Sequence, residues 1–257
     1  MEFLFLVPEW IIFAAIVFIL AVCSGLCFFV GKKHMSRTVD LEQVSNLGGA
    51  LVGFLAFFLG FALMMAFGRF ENRKEILHQE INSIKTAYLT ADFLAKPYDR
   101  NMKSLLREYT ELRIEYASQI SRQEVEVNAG KSVALHHQMW DEALIALEKS
   151  TSIHTETFLV CLLDVIKSHE RLTTARINHV PEEILWLLLS LSIIVVGTNS
   201  YRGGLKGQRF IILRAALIFC VAITLFVIVD LDRPRRGVIR IDLGGLETLY
   251  NSMQNVQ

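Results

Sequence analysis

The sequence predicts an all-α membrane protein: four transmembrane helices with a helical bundle inserted between the second and the third. Three observations carry this. Apolar residues collect into four runs, 10–30, 47–68, 184–200 and 210–229, each near the ~20 residues that cross a bilayer as a helix. Arg214 is the one charged residue inside any of them. The polar stretch between the second and third runs repeats its apolar residues at helical spacing, with neither strand alternation nor a hairpin turn. The expected organisation is a transmembrane hairpin over 1–69, an extramembrane bundle over 70–181, a second hairpin over 182–230 and a C-terminal tail over 231–257.

The first run reads as a retained helix. Its leader lacks Lys and Arg, the run is too long for a signal-peptide core, and Lys32 and Lys33 follow it rather than precede it. Four spans put the two short loops on one side and the insert with both termini on the other. The larger set of Lys and Arg flanks the spans on the insert side, among them Arg69, Arg73, Lys74 and Arg233, which favours a cytoplasmic insert and termini.

In the insert, Leu77, Ile81, Ile84, Tyr88, Ala91 and Leu94 mark a first helix. Pro97 opens a second at a position where its missing N–H costs nothing. Its stripe runs Tyr98, Met102, Leu105, Tyr109, Leu112, Tyr116 and Ile120. Asn128-Ala129-Gly130 reads as a turn before a third helix carrying His136, Trp140, Leu144 and Leu147. Ser150-Thr151-Ser152 caps a fourth with Leu159, Leu162, Leu163 and Ile166. The outer two insert helices are expected to lead directly into spans two and three.

Composition narrows the function classes. Of 257 residues, 53% are hydrophobic, modestly above the ~45–50% of soluble domains; their concentration into blocks is the signal. Lys+Arg and Asp+Glu both number 26, which argues against a nucleic-acid partner. Cys23, Cys27 and Cys220 lie in apolar runs as small hydrophobes, and with Cys161 they outline neither a disulfide framework nor a metal site. Gly130-Lys131-Ser132 matches only the end of a phosphate loop, with Val125 where the first glycine belongs and no strand before it. His136, His137 and His154 lack the spacing of metal ligands. No nucleophile–base pattern is visible, so no enzyme and no cofactor are expected.

The second span carries the strongest pattern. Gly49, Gly53, Ala56 and Gly60 fall within about 60° on a helical wheel, with Phe57 and Phe61 beside them and Met64 and Phe67 below. Such a face lets helices approach closely, or it lines a narrow apolar pore whose dewetting acts as a gate. Arg214, one turn into the fourth run, is placed to snorkel to the interface or to act as an intrabundle cation. The fourth run ends in Asp230, Asp232 and Arg233, followed by Pro234, Arg235 and Arg236, either a simple helix stop or an ion-pair clasp.

Leu59-Gly60-Phe61 followed by Arg69 resembles the pore-lining second helix of bestrophin channels. Asp230-Leu231-Asp232-Arg233-Pro234 resembles the hallmark of the bestrophin-like bacterial membrane proteins. The order of two spans, helical insert and two spans is similar to both groups along nearly the whole chain. The resemblance implies a homopentameric ion channel of the bacterial inner membrane, its partners being further copies of itself, the bilayer and small inorganic ions. Phe57 and Phe61 would stand at a pore neck with Gly53 and Met64 in line, Gly49, Ala56 and Gly60 would serve close packing, and Asp230, Asp232 and Arg233 would form the clasp. Gly53 stands where bestrophins carry a bulky aliphatic residue, and the run of consecutive acids of their calcium clasp is missing. The competing expectation is a non-conducting membrane sensor or scaffold whose bundle docks a partner.

Overall fold

The computed structural model describes residues 8–35, 41–118, 122–149, 152–207, 210–233, 239 and 241–255. Among these residues there is no strand. The helices are α1 (Glu9–Lys33), α2 (Leu41–Thr90), α3 (Tyr98–Ser118), α4 (Arg122–Lys149), α5 (Ile153–Ile177), α6 (Glu182–Leu205), α7 (Ile211–Asp232) and α8 (Gly244–Gln254), with a 3-10 turn at Ala91–Phe93. They form two compact units, Met1–Phe70 with His179–Ile239 and Glu71–Asn178 with Arg240–Gln257.

Among the described residues four helices, α1, α2, α6 and α7, are long and apolar enough to cross a membrane. Prolines 8 and 181 precede α1 and α6, where the first turn has no use for their missing donors. Lys32 and Lys33 close α1, and Glu182 and Glu183 open α6, each charge at the helix end that its sign favours. The core of the membrane unit joins Leu20 of α1, Leu55, Leu59, Ala62 and Ala66 of α2, Leu188 and Val195 of α6, and Val221, Leu225 and Ile228 of α7.

The closest helix approach in this unit is between α1 and α6. A methyl group on Gly31 would overlap the backbone carbonyl of Tyr201, and one on Gly204 would overlap that of Phe28. Further along the same seam the hydroxyls of Ser24 and Ser200 lie 2.7 Å apart, and a Cβ on Gly197 would stand 3.1 Å from Cys27 Sγ. Ser24, Cys27 and Gly31 thus meet Gly197, Ser200 and Gly204, one small residue per turn on each side. Where lipid is as apolar as leucine, such close van der Waals fit is what holds helices together.

The second unit is a helical bundle with a continuous apolar core. Leu77, Ile84, Tyr88, Met102, Leu106, Tyr109, Leu112, Met139, Phe158, Leu162 and Val165 are all buried in it. Ser152 caps α5 as expected, its Oγ accepting from Thr155 N at 3.2 Å. Three expectations need correction. Residues 128–130 are not a turn: α4 continues through them, since an exposed mid-helix glycine costs only about 1 kcal/mol. Of the expected stripe of α4, His136 is buried and Trp140 packs on the core, but Leu144 is exposed, and the apolar burial falls on Leu135, Met139, Ala143 and Ala146; the alanines let neighbouring helices approach more closely. α5 does not lead directly into α6, because Asn178, His179, Val180 and Pro181 are non-helical, as the restriction before a proline favours. α2, by contrast, continues without a break to Thr90. The tail supplies α8, whose Leu246, Leu249 and Met253 enter the bundle core and whose Met253 carbonyl accepts from Tyr88 Oη at 3.2 Å. The side chain of Tyr116 and all of Ile120 lie outside the described residues.

Gly31→Ala and Gly204→Ala should each lower the thermal unfolding midpoint of the detergent-purified protein, a cost of about 1–3 kcal/mol. Gly25→Ala, where an added methyl meets nothing within 4 Å, should leave the midpoint unchanged or raise it. Three equal midpoints would contradict the close seam.

Candidate functional site

α2 has two faces with opposite fates. Leu55, Leu59, Ala62 and Ala66, spaced four, three and four residues apart, are buried against α1, α6 and α7. The other face is open. Phe57, Phe61 and Met64 are 69%, 57% and 71% exposed, and Gly49, Gly53, Ala56 and Gly60 are exposed beside them. A methyl placed on Gly49, Gly53 or Gly60 would meet nothing within 4 Å. Within one chain, therefore, this face packs on no neighbouring helix among the described residues. Phe57 is still constrained: its ring stands edge-on to that of Phe58, 5.6 Å between centroids at 89°, and Phe58 packs against the core.

At the far end of α7 both aspartates are buried, and both act on backbone. Asp232 Oδ1 accepts from Val180 N at 2.9 Å, and its Oδ2 lies 3.3 Å from His179 Nδ1. Asp230 Oδ2 accepts from Ile239 N at 3.0 Å. Arg233 is buried, and its backbone N donates to Asp230 O at 3.1 Å. The carboxylates thus tie the end of α7 to the non-helical segment before α6 and to the chain that follows. Buried backbone donators of this kind need acceptors, which explains why charged side chains end an otherwise apolar helix. Pro234, Arg235 and Arg236 lie outside the described residues. Arg214 stacks its guanidinium 4.3 Å from the centre of the Phe28 ring.

A second constellation, which the sequence reading missed, lies inside the bundle. Glu80 of α2 is fully buried and receives Arg113 Nε at 2.8 Å and Nη2 at 3.0 Å. Tyr109 Oη donates to Glu80 Oε1 at 2.9 Å and lies 3.0 Å from His169 Nδ1. Because the tyrosine proton is committed to Glu80, His169 Nδ1 must donate to the tyrosine oxygen. His136 packs its ring 5.0 Å from Tyr109 and 4.9 Å from His169. One polar cluster thereby joins α2, α3, α4 and α5. Burial works to raise the Glu80 carboxyl, but the Arg113 guanidinium, helped by His169, outweighs it and holds the group well below the usual carboxylate range. Burial and the neighbouring Glu80 push the Tyr109 hydroxyl well above its ordinary value. Burial first, then His169, lowers His136 from 6.5 to about 4.

A family model described as a Bestrophin-like domain matches residues 14–245. A crystal structure of a bacterial bestrophin homolog from Klebsiella pneumoniae, carrying a tyrosine-to-alanine mutation, superposes with a TM-score of 0.70 at 13% identity, covering 93% of this chain and 95% of that one. A structure of the bestrophin homolog from the same organism phased on zinc gives 0.67 at 15% identity, covering 93% and 96%. No curated protein matches the chain. At these identities the structures establish a shared fold.

Glu80→Gln removes the charge that Arg113 faces, and should cost about 3–5 kcal/mol of bundle stability, whereas a paired Glu80→Leu/Arg113→Leu replacement should cost far less. Acid should act in the same direction. The depressed Glu80 stabilises above its unfolded value of 4.5 and loses this as pH falls. His136 stays neutral in the fold while an unfolded histidine takes up a proton, so stability declines from pH 6.5 toward about 4. Unfolding midpoints against pH should therefore slope less in this window for His136→Gln than for the wild type; identical slopes would refute the assignment.

Proposed function

The chain belongs to the bestrophin-like family, and from that premise we propose that it is an ion channel, a homopentamer in which the α2 helices surround the pore. One observation carries this reading: α2 buries Leu55, Leu59, Ala62 and Ala66 within its own chain and leaves the glycine–phenylalanine face uncovered. Copies arranged around an axis would turn that face inward. Phe57 and Phe61 would then form an apolar neck, continued by Met64, through which ions pass only when it wets. Gly49, Ala56 and Gly60 would permit close approach of adjacent α2 helices, and Gly53 would keep the mouth beyond Phe57 wide.

The remaining assignments follow from the same reading. α1, α2, α6 and α7 would cross the inner membrane of a bacterium, with the bundle and both termini in the cytoplasm. The permeant species would be small inorganic ions. Asp230, Asp232 and Arg233 would hold the end of α7 in place as a clasp, with no catalytic role.

Reconstitution of the wild type into planar bilayers should give unitary currents. Phe57→Ala/Phe61→Ala should raise the open fraction or the conductance severalfold by removing the dewetting barrier. Silence from both proteins would sink the channel reading. A dimer, or a particle with α2 away from the axis, would favour the scaffold.

A further inference from the structure

At the loop end of the membrane unit, α2, α6 and α7 enclose a cavity of about 380 Å³ whose charged lining is Arg202, Lys206 and Arg214. Among the described residues no Asp or Glu lines it; the remaining wall is Asn199, Gly203 and apolar side chains such as Val52, Leu213 and Leu217. Three cations around one cavity repel one another, and the repulsion grows in the low dielectric near a bilayer. Two of them have an ordinary explanation. Arg202 and Lys206 lie at the C-terminal end of α6, where cations offset the helix dipole, and Arg202 Nη1 donates to Ser45 Oγ at 2.8 Å.

Arg214 has no such explanation. It sits in the first turn of α7, at the helix end that disfavours a positive charge. Its guanidinium carbon lies 4.3 Å from the centre of the Phe28 ring, and Arg214 forms part of the cavity wall. A guanidinium held against an aromatic ring and two further cations lining one cavity suit an oxyanion.

We propose that this cavity binds a phosphate-type anion, as carried by the headgroup of an anionic phospholipid, with Arg214 as its central ligand and Arg202 and Lys206 as flanking ones. The apolar wall, in particular Leu213 and Leu217, gives the first methylenes of an acyl chain somewhere to lie. The cavity volume is ample for a headgroup. The proposal rests on the membrane unit alone and is independent of conductance.

The test uses the intact protein in detergent, with bound lipid counted by native mass spectrometry and the unfolding midpoint followed during titration. Phosphatidylglycerol should bind and raise the midpoint, and phosphatidylcholine should do neither at the same concentration. Arg214→Gln should weaken phosphatidylglycerol roughly tenfold, as expected for loss of one charge-assisted contact. Lys206→Ala, at an exposed site that folding does not need, should weaken it less. Inorganic phosphate is the second arm: a shift with phosphate alone that Arg214→Gln abolishes identifies a free anion as the natural occupant. Equal binding of the two lipids, or full phosphatidylglycerol affinity in both variants with no response to phosphate, would overturn the proposal.

Discussion

The membrane half of this protein is governed by a helix only half covered by its own chain. α2 spends its leucine and alanine face on the core shared with α1, α6 and α7, and offers glycine and phenylalanine on the other side. In water such a face would be costly and would force association by itself. In a bilayer that drive is gone, because lipid tails are as apolar as the side chains. Whatever covers the open face must therefore do so by fit. The chain displays elsewhere what fit without a hydrophobic drive looks like: α1 and α6 touch backbone to backbone at Gly31 and Gly204. Glycines on α2 make the same kind of contact possible between molecules.

The bundle solves the opposite problem. Its apolar stripes form a continuous core, so what needs explaining is the full burial of Glu80 and Arg113. Buried ion pairs seldom add net stability over apolar replacements. They do penalise every arrangement that separates the partners, and here the partners and their hydrogen-bonded companions come from four helices. The polar cluster chooses among packings that leucines alone would tolerate.

Much of this was readable from the chain. The spans are legible because a bilayer imposes a length and excludes charge, so Leu20, Leu188 and Leu225 could not be misplaced by much. The stripe of α3 was equally plain, since Met102, Tyr109 and Leu112 obey strict helical spacing. Less was legible where single residues carry the information. Glu80 lies on the same stripe as Leu77, Ile84 and Tyr88; a carboxylate on an apolar stripe was the available signal of a buried partner, but even mixing of charges along the helix hid it. Leu246, Leu249 and Met253 had the spacing of a helix that a short polar tail made easy to overlook. Asn128-Ala129-Gly130 has the composition of a turn, yet α4 runs through it, because glycine permits a turn without requiring one. The close contact of α1 and α6 at Gly31 and Gly204 is a pairing across 173 residues that no local pattern reveals.

The Glu80 cluster also limits how the bundle can move. Sliding one helix past another by a turn displaces it by about 5.4 Å, which would pull the guanidinium of Arg113 off both oxygens of Glu80 and strand Tyr109. Rotating α4 about its axis would withdraw His136 from the rings it abuts. Shear and roll of these helices would therefore carry the cost of separating that cluster. A surface change that shifts one of the four helices would be felt at Glu80 before it could spread along the core.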